Sequence, residues 1–353
     1  MEMLPLSPEI CKRIVNNASL WKDVRALCRT CKAFQREAEP KIYCQIQLSD
    51  PRRFMLACNT LISNERLALH VRIFAFTHQD ERSRPPDLGR QFWAQVQQAL
   101  IATCNLEVLV LSDRSFAHGW ILDNQAIQFQ LKEAKLFFAW NSALKNFLER
   151  QPTLQRLHFV DALEDSISHH LSPGSLPNLE LFDGTLMVVP QLLSCPLVYL
   201  QVVMDADTET LLSLIPRMAC LSKTIRSLNI LDIQEDGVLS ALAGISRVLP
   251  NLTHLGMLPY PMTNRQGFFK SLMSMHLLRS IEVDVSKWVP APIIPAGQRS
   301  LAAEMQIYCP SLQQITIWVG NSRTRWFISS SGQWQHRIES PSYLQFSSIW
   351  VNA

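Results

Sequence analysis

Glycine is scarce in this 353-residue chain, with 11 residues, and none of the glycine-rich arrangements that cradle a phosphate at a helix N-terminus occurs in it. No HExxH, GxSxG or paired metal motif occurs either. The sequence therefore offers no constellation for hydrolysis, phosphoryl transfer or metal chemistry, and it reads as a non-enzymatic protein with no cofactor and no metal. Concentrated basic charge is also lacking: the formal net charge is +3, drawn from both signs along the chain. Binding nucleic acid by counterion release needs a clustered Lys/Arg surface, so nucleic acid is not expected as a partner. The run from Gly184 to Met204 is free of charged side chains, but Pro190 and Pro196 interrupt it and Gln191 and Gln201 sit inside it. That argues against a membrane span. The opening residues, Met1 to Glu9, carry prolines and a carboxylate where a signal peptide needs a basic start and an apolar core. A cytoplasmic or nuclear protein is the expectation, with nine cysteines kept as thiols and used as small apolar residues.

What is present is globular: 47% hydrophobic and 18% charged residues, too apolar for a disordered chain. Ser7 can cap a helix with Pro8 at its first position and Glu9 in its first turn, running to about Asn17. Its apolar residues Ile10, Cys11, Ile14 and Val15 fall on one stripe. A second short helix after Ser19 carries Trp21, Val24, Leu27 and Cys28. A third, capped by Thr30 and reaching Ile42, carries Cys31, Phe34 and Ala38. Three helices in some forty residues bury little by themselves, so the module is expected to dock on something. Cys28 and Cys31, with Cys11 and Cys44, read as packing residues rather than zinc ligands, since Cys28 and Cys31 lie at a helix junction.

Leu4-Pro5-x-x-Pro8-Glu9-Ile10-x-x-x-Ile14, then Asp23 to Phe34, then Ala38-Glu39-Pro40-Lys41-Ile42-Tyr43, resembles an F-box. Leu6-Ser7 intervenes between the Leu-Pro and the Pro-Glu-Ile, and Asn16-Asn17-Ala18 stands where a leucine commonly closes the first helix. The resemblance implies docking to a Skp-family adaptor and, through it, to a cullin scaffold. It also implies adaptor-binding roles for Leu4, Pro5, Ile10, Ile14, Val24, Leu27 and Phe34. The alternative is that these helices only cap the array that follows.

Beyond residue 50 one phrase recurs, Leu-x-x-Leu-x-Leu with apolar substitutes. It occurs at Leu106/Leu109/Leu111, Leu154/Leu157/Phe159, Leu179/Phe182/Gly184, Leu197/Leu200/Val202, Ile225/Leu228/Ile230, Leu252/Leu255/Met257, Leu278/Ile281/Val283 and Leu312/Ile315/Ile317. An earlier copy is Val71/Phe74/Phe76, and Ile46/Leu48 could begin the series. From Leu154 the starts are 25, 18, 28, 27, 26 and 34 residues apart, around the roughly 20 to 29 of leucine-rich repeats. Prolines at 152, 177, 196, 250 and 310 stop the preceding segments. Between phrases lie amphipathic stretches such as Thr208 to Ala219 and Asp236 to Val248. The gap from Leu106 to Leu154 is read as a long helical stretch, about Gln125 to Arg150.

The pattern resembles divergent leucine-rich repeats of the kind found in fungal F-box proteins. The expected fold is α/β: a short three-helix N-terminal F-box followed by an irregular leucine-rich-repeat solenoid, with parallel β-sheet inside and helices outside. The divisions are 1–45 for the helical module, 46–320 for the solenoid and 321–353 for a terminal cap. In that cap, Arg325 to Ile328 and Gln333 to Ile338 form a hairpin around a Ser/Gly turn. Trp326 and Trp334 cover the last repeat or, alternatively, mark a binding edge. The acidic stretch from Asp161 to Asp165 before His169-His170, and the Asp80 to Pro86 segment, read as loops. Function on this reading is substrate recognition for a Skp-cullin-F-box ubiquitin ligase, with an unknown protein as target. A leucine-rich-repeat interaction scaffold is the alternative.

Overall fold

A computed structural model describes residues 6–77, 88–160, 169–329 and 332–339. They belong to two compact units, Met1–Leu176 and Pro177–Ala353. Both are α/β.

The first unit opens with α1 (Pro8–Asn17), α2 (Trp21–Cys28) and α3 (Lys32–Tyr43). Ser7 caps α1, its side chain accepting from the Ile10 N–H at 3.5 Å. Val15, Val24 and Ala38 meet in a small core, flanked by Ala18, Leu27, Cys28, Phe34 and Ile42. Thr30 does not cap α3, contrary to expectation. Its hydroxyl donates to the Leu27 carbonyl at 2.7 Å, which serves the end of α2, and α3 begins two residues later.

The unit continues through β1 (Gln45–Leu48), α4 (Pro51–Ser63), α5 (Glu65–Ala68), β2 (Ile73–Phe76), α6 (Arg90–Ala102), β3 (Val108–Ser112), β4 (Glu133–Phe137), α7 (Ser142–Glu149) and β5 (Arg156–Val160). Each strand pairs in parallel with the next in sequence, which requires crossovers rather than tight turns. The register aligns Ile46, Phe74, Leu109, Ala134 and Leu157 in one row and Leu48, Phe76, Leu111, Leu136 and Phe159 in another. All but Leu48 are buried.

Strand β4 corrects the expected helix from 125 to 150. Leu131, Ala134 and Leu136 carry the phrase with alanine in its middle position, and Glu133 and Lys135 alternate with them at a period of two. Only Ser142–Glu149 is helical, started by Asn141, whose side chain accepts from the Leu144 N–H at 3.1 Å. The long gap thus holds a further copy of the phrase.

The second unit runs β6 (Leu181–Thr185), α8 (Val189–Leu192), β7 (Tyr199–Val203), α9 (Thr208–Leu214), β8 (Ser227–Leu231), α10 (Glu235–Val248), β9 (His254–Pro259), α11 (Arg265–Leu272), β10 (Ser280–Asp284), α12 (Pro295–Tyr308), β11 (Gln314–Val319), β12 (Ser322–Ile328) and β13 (Trp334–Glu339). Strands β6 to β11 are parallel, and β11, β12 and β13 are antiparallel. Phe182, Leu200, Leu228, Leu255, Ile281 and Ile315 form one buried row. In β9 the third inward residue is Leu258 rather than Met257. Met257 adopts a positive φ of 63°, and the resulting bulge brings Leu258 opposite Val283. The uncharged run from 184 to 204 contributes to β6, α8 and β7, and among the described residues no helix is long and apolar enough to cross a membrane.

Candidate functional site

The α1 stripe read from the sequence is divided by the structure. Cys11 and Val15 point into the module, whereas Ile10 is 47% and Ile14 38% exposed. Residues four apart share a helix face, so Ile10 and Ile14 form a continuous outward pair. Leu6, Leu20 and Trp21 are also exposed. Val24, at 1% exposure, is a core residue of the module, and Leu27 and Phe34 are partly buried against that core. The seven expected contact residues are therefore not equivalent: Ile10 and Ile14 present a surface, Val24, Leu27 and Phe34 support it, and Leu4 and Pro5 lie outside the described residues.

The C-terminal end of α1 is fixed from a distance. Lys41 on α3 donates to the carbonyls of Val15, Asn16 and Ala18 at 3.1, 3.4 and 2.9 Å. An ammonium there adds to the Ala18 N–H, which already reaches the Ile14 and Val15 carbonyls, and complements the helix dipole. The module is tied to α5 by the Glu39 carboxylate, which is buried and receives Arg66 of that helix and Gln35 of its own.

In the second unit, the sheet face opposite the apolar rows carries a hydrogen-bonded ladder. Gln201 donates to Asp183 at 2.8 Å, Asn229 to Gln201 at 3.1 Å, His254 Nε2 lies 3.0 Å from Asn229 Oδ1, and His254 Nδ1 lies 3.1 Å from Ser280 Oγ. The direction of the ladder follows from its acidic end. A carboxylate only accepts, so the Gln201 amide nitrogen faces Asp183 and its oxygen faces Asn229. The Asn229 oxygen then faces His254, whose Nε2 carries the proton, leaving Nδ1 to accept from the Ser280 hydroxyl. Burial pushes the His254 imidazole down to about 3, with the charge of Arg323 adding to it, so the ring is neutral. Ser280, His254 and Asn229 are thereby linked as a hydroxyl, a base and an orienting amide. All three are buried, which closes the hydroxyl to a substrate.

Beside the ladder, Glu282 accepts from Trp318 Nε1 and from Arg323 Nε at 3.1 Å. Arg323 also reaches Glu339 at 3.0 Å, and Arg325 reaches it at 3.2 Å. Burial pushes the Glu282 carboxyl up, and Arg323 opposes that shift.

No family model matches the chain, and no curated protein matches it.

Trp326 is buried, donates to Gln298 at 3.2 Å and stacks on His336, so it is packed and does not form an exposed binding edge. Trp334 donates to Gln306 at 3.2 Å. The backbone carbonyl of His169 accepts from Trp140 at 2.9 Å, while 161–165 lie outside the described residues, as does the 80–86 segment. Among the described residues no three His, Cys, Asp or Glu side chains are grouped to hold a metal. Sequence reasoning missed the ladder. Its members are polar residues at alternate strand positions, the signature of a solvated face, and the only sign available was that Asp183, Gln201, Asn229, His254 and Ser280 all lie beside the inward positions of successive phrases.

Proposed function

We propose that this chain is the non-catalytic substrate receptor of a Skp-cullin-F-box type ubiquitin ligase. Residues 1–45 act as an F-box that docks a Skp-family adaptor, 46–320 form a leucine-rich-repeat solenoid that holds a protein target, and 321–353 cap it. The observation that carries this reading is the outward pair Ile10 and Ile14, accompanied by Leu20 and Trp21, on the module whose sequence resembles an F-box. Two large apolar side chains exposed side by side on a module this small signify a partner. The receptor itself supplies proximity: it raises the effective concentration of target lysines near the catalytic subunit.

The test is a pull-down with purified adaptor. Ile10→Asp with Ile14→Asp replaces exposed side chains only, so the helices are expected to persist by circular dichroism while adaptor capture is lost. Undiminished capture removes the F-box assignment. The buried Glu39 with its Arg66 partner favours a second reading, in which the module caps the array as part of an interaction scaffold. Deleting 1–45 separates the two: a cap's loss unfolds or aggregates the remainder, whereas a docked module's loss leaves its melting nearly unchanged.

A further inference from the structure

A cavity of about 210 Å³ opens where β8, β9 and β10 end, lined by Asp232, Glu235, Asp284, Lys287, Tyr260 and Trp288 among others. The carboxyl ends of parallel strands are where α/β sheets present their loops and receive ligands. The lining is acidic by three carboxylates to one ammonium, and among the described residues Asp232, Glu235 and Asp284 form no ion pair. Asp284 accepts from the Ser286 N–H at 2.8 Å and from its hydroxyl. The aromatic wall is rigid: Tyr260 and Trp288 stack with centroids 5.5 Å apart, and Trp288 Nε1 donates to the Tyr260 carbonyl at 2.8 Å. The same pair already holds one guanidinium. Arg265 lies 4.7 Å from the Trp288 ring and 5.5 Å from that of Tyr260, and its charge is met by Glu304 at 3.1 Å rather than by the cavity carboxylates.

An independent feature follows in sequence from the cavity wall. The chain leaving Trp288 exposes Val289, Ile293 and Ile294 by 80, 76 and 67%. Aliphatic side chains so bare on the segment that leaves an acidic, aromatic-walled cavity suit a composite surface, apolar on one side and anionic on the other. We propose that this surface docks a peptide segment of a protein partner that inserts an arginine or lysine into the cavity and lays neighbouring apolar residues along Val289, Ile293 and Ile294. Charge complementarity selects that occupant, since an anionic ligand meets three carboxylates and a purely apolar one leaves them desolvated and unpaired. The surface belongs to the second unit, and its occupant does not depend on whether the N-terminal module docks an adaptor.

The test uses the full chain to select from a random heptapeptide phage library, followed by anisotropy measurements on the enriched peptides. Enrichment of a basic residue next to aliphatic ones is expected. Replacing the basic residue by neutral citrulline, or the cavity carboxylates by Asp232→Asn, Glu235→Gln and Asp284→Asn together, weakens binding by about tenfold or more. These isosteric changes suit the backbone, because Asp232 has a φ of 64° that asparagine also tolerates. Ile293→Ser with Ile294→Ser weakens binding by about threefold or more, a smaller effect than neutralising the three carboxylates together. The Ile10→Asp, Ile14→Asp chain selects the same peptides even if it has lost adaptor capture. No enrichment, enrichment without a basic residue, or equal binding by the carboxylate variant overturns the proposal. So does arginine amide binding as tightly as the peptide, which makes the cavity a small-cation site.

Discussion

On β4 and β5 the residues alternating with the core include Glu133, Lys135 and Arg156, and both cations reach the one carboxylate, at 3.4 and 3.5 Å, in contact with water. On β8, β9 and β10 the counterparts include Asn229, His254, Ser280 and Glu282, all buried and hydrogen-bonded to each other or to a neighbour, while the Ser227 hydroxyl, buried on the same face, has no partner among the described residues. The backbone pattern is the same, and the chemical demand is opposite. Exposed ions exchange protein partners for water at little net cost, so such a face tolerates substitution. A buried polar face is stabilising only when every member is satisfied, so each residue there depends on the identity of the next.

The comparison can be broken at its strongest point by Arg323→Met. Both Arg323 and Glu282 side chains are 5% exposed, and removing one partner leaves the other charge buried, for an expected loss of about 3–5 kcal/mol in urea unfolding. A loss below about 1 kcal/mol would mean the second face behaves like the first. Next is Gly256→Ala. A Cβ at 256 collides with Asn229 Oδ1 and sits 2.9 Å from His254 Nε2, so the ladder must open. About 2–3 kcal/mol is expected from overpacking and a lost buried hydrogen bond.

His254 gives a signature in pH. Its folded value of about 3 lies below the ordinary 6.5, so between the two the unfolded chain binds a proton that the native state refuses. Stability is fully present above about 6.5 and falls by about 1.4 kcal/mol per pH unit below it. Of the groups facing the ring, Asn229 and Ser280 do not titrate, and Glu282 shifts the opposite way; Arg323 and Glu282 both remain in the control chain His254→Gln. From pH 7 to pH 5 the wild type should lose about 2 kcal/mol more than that variant, and parallel curves would show an exposed or charged histidine. The smallest effect belongs to the approach to the first unit's strands: Lys132→Ala, just before β4, removes a 2.7 Å pair with Glu107 whose partners are 59 and 38% exposed. A change below about 1 kcal/mol, fading with salt, is expected.

The apolar half of the strands in each unit was legible because strand interiors impose a period of two and a fixed spacing, which Leu154, Leu228 and Ile281 all obey. Strand β4 was hidden where Leu131, Phe138, Leu144 and Phe147 also fit a helical period, a coincidence that only the pairing of Ala134 with Leu109 and Leu157 resolves. Met257 and Leu258 could not be told apart without the backbone dihedral. On the N-terminal helical module, helical periodicity found the stripe but could not divide it, since Ile10 and Val15 are alike in character and differ only in which side α2 and α3 occupy. The ladder and the cavity unite residues far apart in sequence, and polar side chains carry no mark of whether water or another amide will meet them.

Lys41 has a consequence for the order of assembly. Helix α1 has ten residues, too few to persist alone in water, and its last carbonyls are met by a side chain 23 to 26 positions further along the chain. As the polypeptide emerges from the ribosome, that first segment has only the Ala18 N–H to close its end until the third has arrived. Lys41 thus couples the first helix to the third, and a nascent chain cut before residue 41 is expected to hold α1 less firmly.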